Sequence, residues 1–212
     1  MTPRSYDMSR RAAAVERTRR RIVEATVELH GERGIFGTGW QDIARRADVS
    51  VATVYKHFPT LDELVPACGE VLMERLQPPS PESAPRVLGE GRDTIERLER
   101  AALALFDFYE RGGPHLDADL RERELPAIQE WESYLRLTVT TFVGEALKES
   151  DVGPDQIELA SAFFDHSTFK ALQSRGNSTD AAARAVSAMV ACWLATTSSR
   201  RSSSNQRPKE AS

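Results

Sequence analysis

The chain has 212 residues, 40% of them apolar, and a formal net charge of -4, which suits one or two folded domains and argues against indiscriminate nucleic-acid binding. No run of about 18 apolar residues occurs, and the first twenty residues lack the apolar stretch of a secretory signal, so a cytoplasmic protein away from membranes is expected. The two cysteines, Cys68 and Cys192, stand far apart and outside any CxxC spacing, which predicts buried thiols rather than a disulfide framework or a zinc knuckle.

The average charge conceals a split. Residues 1–60 hold 11 Lys+Arg against 7 Asp+Glu, a net of +4, which leaves -8 for residues 61–212. A basic head on an acidic body suggests a small nucleic-acid module joined to a part that does not bind nucleic acid.

The apolar periodicity is helical throughout and no sustained period-2 alternation interrupts it, so the fold class expected is all-α. Residues 1–17 read as a basic flexible arm. A first helix spans residues 18–33, with Ile22, Ala25, Thr26 and Leu29 on one face and Glu24 and Glu28 opposite, and Gly34 ends it. A second helix spans residues 40–47, capped by Thr38 or Gly39. Asp48, Val49 and Ser50 form a turn, Ser50 caps a third helix over residues 51–57, and Pro59 stops it. Thr60 and Glu63 have the spacing of a capping box that opens a fourth helix reaching Leu76. Pro66 falls inside that helix and should kink or restart it. Residues 77–91, QPPSPESAPRVLGEG, read as a connector. Helical patterns follow at residues 93–111, 116–123, 126–149, 154–174 and 179–196, and a polar, basic tail with the composition of disorder completes the chain from residue 198. The domains expected are therefore a small helical head over residues 18–64 and a larger helical body over residues 65–197.

Within the head, Val51, Val54 and Phe58 share the inward face of the third helix, while Ala52, Thr53 and Lys56 point outward with Tyr55 and His57 beside them. On the second helix Ile43, Ala44 and Ala47 face inward and Gln41, Arg45 and Arg46 face out. Two helices this short are marginal alone and must be held by the first, so they serve to present a face. The small, hydroxyl-bearing and cationic side chains on that face suit a DNA major groove, and the helix N-termini near Thr38 and Ser50 offer backbone N–H groups to phosphates. Periodicity alone is equally compatible with an αα-hairpin forming a surface corner.

Residues 22–67, IVEATVELHGERGIFGTGWQDIARRADVSVATVYKHFPTLDELVPA, resemble the DNA-binding domain of the TetR family, chiefly through "DIARRADVS" and "TVYKHFPTLDEL". The resemblance implies a helix-turn-helix in which Thr38 contacts phosphate and Thr53, Tyr55, Lys56 and His57 occupy the recognition helix. Gln41, Arg45, Ser50 and Ala52, with Arg20 of the arm, complete the candidate DNA-binding set. The sequence departs from the family pattern at Asp48, where Gly is usual in the turn, at Trp40, and at Ala52; Asp tolerates a left-handed backbone better than most residues. The arm carries Arg4, Arg10, Arg11, Arg17, Arg19, Arg20 and Arg21, either as a merely solvated run or along phosphates or the adjacent minor groove.

A single head of this kind reads few base pairs, so a homodimer on a palindromic double-stranded DNA operator is expected. The last two helices are its candidate interface: Ile157, Ala160, Phe163, Phe164, Ser167 and Ala171 on one, and Ala182, Ala185, Val186, Met189, Val190 and Trp193 on the other. Those residues could equally fill the subunit's own core, one face each. In the body, Phe106, Tyr109, Trp131, Tyr134, Phe142 and His166 are candidate ligand-binding residues, with ordinary core as the competing reading and His115 as a further polar candidate. The resemblance implies a small-molecule effector, mostly apolar, whose binding lowers operator affinity. No cofactor or metal is expected, since His30, His57, His115 and His166 show no ligand spacing and no GxSxG, GxGxxG or P-loop occurs, so no enzyme is expected either. The alternative class is a helical protein–protein adaptor that binds no DNA.

Overall fold

The structure is a computed structural model; it describes residues 4–90 and 93–205, with side chains from residue 8 to residue 197 except 91 and 92. Among the described residues every regular element is a helix: α1 (Arg4–Arg33), α2 (Trp40–Arg46), α3 (Val51–His57), α4 (Leu61–Leu76), α5 (Ala84–Leu88), α6 (Thr94–Gly112), α7 (Pro126–Ala146), α8 (Pro154–Ser161), α9 (His166–Gln173) and α10 (Thr179–Asn205). No helix among them is long and apolar enough to cross a membrane. The chain divides into two compact units with boundaries at Gln77/Pro78, Arg111/Gly112 and Glu132/Ser133.

The first unit is built on α1, α2, α3 and α4. Ile22, Ala25, Leu29, Ile43, Ala44, Val54, Phe58, Leu64 and Cys68 are buried in one core, as the helical periods require. Ala44 is only 3% exposed where α2 and α3 leave no room for a longer side chain. The fourth helix therefore belongs with the head: Leu64, Ala67 and Cys68 complete its core, and the boundary expected after Leu64 falls after Gln77. Residues 112–132 also join this unit, although they are remote in sequence. They form short 3₁₀ turns at Gly113–Leu116 and Glu122–Glu124 rather than the helix expected over residues 116–123, because Gly112, Gly113 and Pro114 break the pattern at its start.

Three further expectations are corrected in this unit. The first helix begins at Arg4 and not near Thr18, so the arm is helical from residue 4 rather than flexible; alanine and arginine, which dominate residues 10–21, are among the best helix formers. Thr60 is the N-cap of α4, but its side chain makes no capping hydrogen bond, since both Thr60 and Glu63 are turned to solvent. α4 also continues through the exposed Pro66 without a restart.

The second unit contains α5, the body of α6, most of α7, and α8 to α10. The expected connector holds α5, whose Ala84 and Leu88 are fully buried, so its prolines start a short helix instead of an open linker. The helix expected over residues 154–174 is broken: α8 gives way to a 3₁₀ turn at Ala162–Phe164, and α9 restarts after Asp165, which takes an extended conformation at its N-cap. α10 runs to Asn205, past the start of the expected tail; residues 206–212 of that tail lie outside the described residues. Arg97 is 1% exposed, donates to the carbonyl oxygen of Glu145 at the end of α7, and lies 3.3 Å from the Glu145 carboxylate. A cation at a helix C-terminus meets the negative end of the peptide dipoles, which offsets part of its desolvation.

Candidate nucleic-acid interface

The recognition face begins with local backbone chemistry. Ser50, extended at φ -74° and ψ 152°, accepts the Thr53 N–H at 3.1 Å and so satisfies a free donor at the start of α3, and its hydroxyl also bonds the Thr53 hydroxyl at 2.7 Å. Val54 and Phe58 anchor the inner face of α3 while Ala52, Tyr55 and Lys56 are exposed and Thr53 and His57 half-buried. The Tyr55 ring packs on Trp40 of α2 with centroids 4.9 Å apart, so the departure at Trp40 supplies a platform that fixes the phenol beside Lys56.

Asp48 occupies the turn at φ +50°, the left-handed region. Its carbonyl oxygen accepts from Arg21 Nη2 at 2.8 Å, and the same nitrogen donates to the Ala47 carbonyl, so one guanidinium binds the free end of α2 and the turn after it. Arg19 lies over the Phe58 ring at 4.9 Å. Two arginines counted with the arm thus hold the helix-turn-helix in place. Sequence reading missed this, because the partners are backbone carbonyls 26 and 27 residues away.

The remaining candidates stand as follows. Thr38 donates to the Gly34 carbonyl at 2.9 Å, just before the N-cap Gly39 of α2. Gln41 is exposed. Arg45 pairs with Asp42 at 3.1 Å, and Arg20 with Glu24 at 2.9 Å, the latter raising the arginine above its ordinary value first through the hydrogen bond and then through the carboxylate charge. Exposed pairs of this kind are weak, so a phosphate can replace the carboxylate as partner. Arg46 is held by Glu28 and Glu32 at 3.1 and 3.0 Å.

Behind this face the loop from α1 to α2 is fixed by residues 112–132. Glu122, 5% exposed, accepts the Ile35 N–H at 2.5 Å and the Asp119 N–H at 3.0 Å, and Arg121 covers the Phe36 ring at 3.9 Å. Gly34 is needed there twice: its φ is +75°, and a Cβ would stand 2.8 Å from a Glu122 oxygen. His115 packs on Gly31 in the same way.

In the second unit, Phe106, Tyr109 and His166 come together. Tyr109 lies 6.1 Å from Phe106, 5.3 Å edge-on from His166 and 6.0 Å from Phe169, and its hydroxyl donates to the Phe164 carbonyl at 3.1 Å. Burial, and then the Asp165 charge, push the Tyr109 phenol well above its usual range. Phe142 is fully buried and Tyr134 and Trp131 are half-buried, Trp131 in the first unit. Phe108 and Phe169 add ring contacts to the group around Tyr109; the sequence does not single out Phe169, because the break at residues 162–165, which turns it inward, leaves no periodic signal. On the last helices Ala160, Phe164, Ala182, Val186 and Val190 are buried within the unit, while Leu159, Ala171, Ala185 and Met189 are exposed. Cys68 is buried, with its thiol pushed up to about 12, but Cys192 is exposed, contrary to the expectation of two buried thiols.

Among the described residues every regular element is helical, and the N-terminal unit carries a capped helix-turn-helix whose second helix leaves its outer face exposed. Residues 22–68 match the model of bacterial regulatory proteins, tetR family. They are also 45% identical over 47 residues to the HTH-type transcriptional regulator LuxR of Vibrio harveyi, a match spanning 22% of this chain and 23% of that protein. The chain thus covers about a quarter of that relative's length. Among solved structures, a transcriptional regulator from Rhodococcus sp. Rha1 superposes with a TM-score of 0.55 at 19% identity, over 81% of this chain and 95% of that one. The ketosteroid transcriptional regulator KstR2 of Mycobacterium tuberculosis gives 0.52 at 19% identity over 84% and 93%, and the multidrug binding protein EbrR, solved with imidazole, 0.51 at 20% over 81% and 93%. The match to the tetR family thus covers residues 22–68, and the fold resembles that of these solved regulators over most of the chain.

Proposed function

We propose that this protein is a homodimeric transcriptional repressor that binds a palindromic operator and releases it when a small, mostly apolar effector enters the second unit. The observation carrying the reading is the recognition helix itself: α3 is capped by Ser50, anchored by Val54 and Phe58, and leaves Tyr55 and Lys56 exposed. Thr53, Lys56 and Tyr55 supply base-edge and phosphate contacts, with Thr38, Gln41, Arg45 and Arg20 on flanking phosphates. Leu159, Ala171, Ala185 and Met189 offer the apolar face for a second copy, because an isologous contact of α8 to α10 needs one face free of the subunit's own core. We place the apolar effector at the buried aromatic group around Phe106 and Tyr109, and names such as ketosteroid regulator and multidrug binding protein among the structural relatives agree with that chemistry.

The test is a footprint on DNA beside the protein's own gene, repeated with Thr53→Ala and Lys56→Ala. A protected palindrome that weakens with both variants supports the reading. Retained protection in the double variant, or a monomer by sedimentation while bound to DNA, overturns it.

A further inference from the structure

The helical arm carries an inference that rests on this DNA-binding reading and deepens it. α1 starts at Arg4, yet from Met8 onward, where side chains are described, the first buried residue is Ile22, and every residue from Met8 to Arg17 is exposed. This stretch has no share in the core, and an isolated segment of such length is marginally helical in water, so its order depends on α1's packed half and on whatever partner it meets. Its composition names the partner's charge: over residues 4–17, Arg4, Arg10, Arg11 and Arg17 stand against Asp7 and Glu16.

The arginines are also placed. At 100° per residue, Arg10, Arg17 and Arg21 fall within about 40° of one another on the helix surface, along about 16 Å of its axis. Arg21 marks where that stripe faces, since its guanidinium is seated on the turn between α2 and α3, while Arg19, on the opposite flank of α1, lies over Phe58 at the end of α3. The stripe therefore leaves the head at the recognition helix, on the side of its turn.

We propose that the arm is a rigid helical strut that lies along the phosphate backbone flanking each half-site, with Arg10 and Arg17 on separate phosphates, and does not enter the minor groove. Size decides between the two. An α-helix with its side chains is about 10 to 12 Å across, whereas the minor groove is about 6 Å wide. The major groove at the half-site is occupied by α3. Contact through phosphates adds affinity and salt dependence without reading sequence.

The full-length protein is titrated by fluorescence anisotropy onto a mixed-sequence duplex of about 40 base pairs between about 50 and 200 mM salt. In Arg10→Ala/Arg17→Ala the slope of log affinity against log salt falls by about 1.8 per arm, at about 0.9 for each phosphate left without its arginine. Ala13→Pro keeps every arginine but breaks the helix. Because no residue from Met8 to Arg21 is buried, the head stays folded by circular dichroism, and the slope falls comparably. An unchanged slope in the double variant overturns the proposal, as does an Ala13→Pro protein that matches wild type, which is the behaviour of a flexible arm. Saturating the minor groove with netropsin leaves the wild-type advantage intact; loss of that advantage overturns it too. A mixed-sequence duplex separates the two readings: if the operator footprint persists while the slopes are equal, only the strut fails, and if no operator is protected while the slopes differ, only the repressor reading fails.

Discussion

His30 should make the first unit sensitive to mild acid. Its Nε2 is sealed from solvent without a hydrogen-bond partner, and the imidazole is lowered from 6.5 to about 4, first by burial and then by the nearby His115. His115 is itself lowered by burial and by Arg75. The folded state therefore holds His30 neutral while the unfolded chain protonates it near 6.5, so the stabilisation is complete above that pH and is lost as pH falls towards 4. A shift from 6.5 to about 4 corresponds to about 3 kcal/mol at its limit and to about 2.5 kcal/mol at about pH 4.5. Against a total stability of about 5 to 15 kcal/mol, that loss is large. The perturbation is His30→Leu, which removes the titrating group, followed by urea unfolding of both proteins from about pH 7.5 to pH 4.5. Carboxylate titration is common to the two and cancels. Wild type should lose about 2.5 kcal/mol more than the variant across that window; parallel stability curves would refute the reasoning.

Three more substitutions test other parts of the structure. Arg21→Ala removes the donor to the Ala47 and Asp48 carbonyls and should cost about 1 to 2 kcal/mol, reduced by the exposure of the site, with weaker DNA binding at every salt concentration; unchanged urea unfolding would count against the clamp. Asp48→Gly places a permissive residue at φ +50° and should raise the thermal midpoint by a few degrees, for about 0.5 to 1 kcal/mol; a fall would show that the Asp48 carboxylate, 3.6 Å from Arg21, outweighs the backbone term. Tyr109→Phe keeps the ring among Phe106, Phe108 and Phe169 but strands the Phe164 carbonyl, costing about 1 to 2 kcal/mol in urea unfolding; no loss would mean that water or a relaxed backbone takes over the bond.

Much of the head was legible because its structure is written locally. Val51, Val54 and Phe58 repeat at helical spacing, Ser50 can cap only the turn it precedes, and Gly34 marks a left-handed end, so α2 and α3 were expected within a residue of where they lie. The errors share a cause in the other direction. The Thr60 and Glu63 pair has the spacing of a capping box, but an exposed helix start has water as a competing partner and forms no such bond. The uninterrupted period over residues 154–174 hides the break at residues 162–165, because the turn places Phe164 and Phe169 inward as a continuous helix does with other residues. The arm's charge suggests a flexible segment, but its run of alanines and arginines favours the helix that α1 forms.

The candidate site divides along the same line. Tyr55 and Lys56 could be placed on the outer face of α3 from a helical wheel, since an exposed residue is defined by its own helix. What fixes that face could not. Glu122 is one acid in "RERE", with nothing in its neighbourhood to distinguish it from Glu124, yet it alone reaches the Ile35 N–H across 87 residues of sequence. A buried carboxylate that accepts two backbone N–H bonds is tolerated because both oxygens are satisfied, and it ties the loop before α2 to residues that continue directly into α7. Any movement of that segment must either carry the loop with it or leave the Ile35 N–H and the Glu122 carboxylate unpaired. The head is therefore positioned by contacts made between distant stretches of chain, whereas the side chains it presents are set by spacing within seven residues.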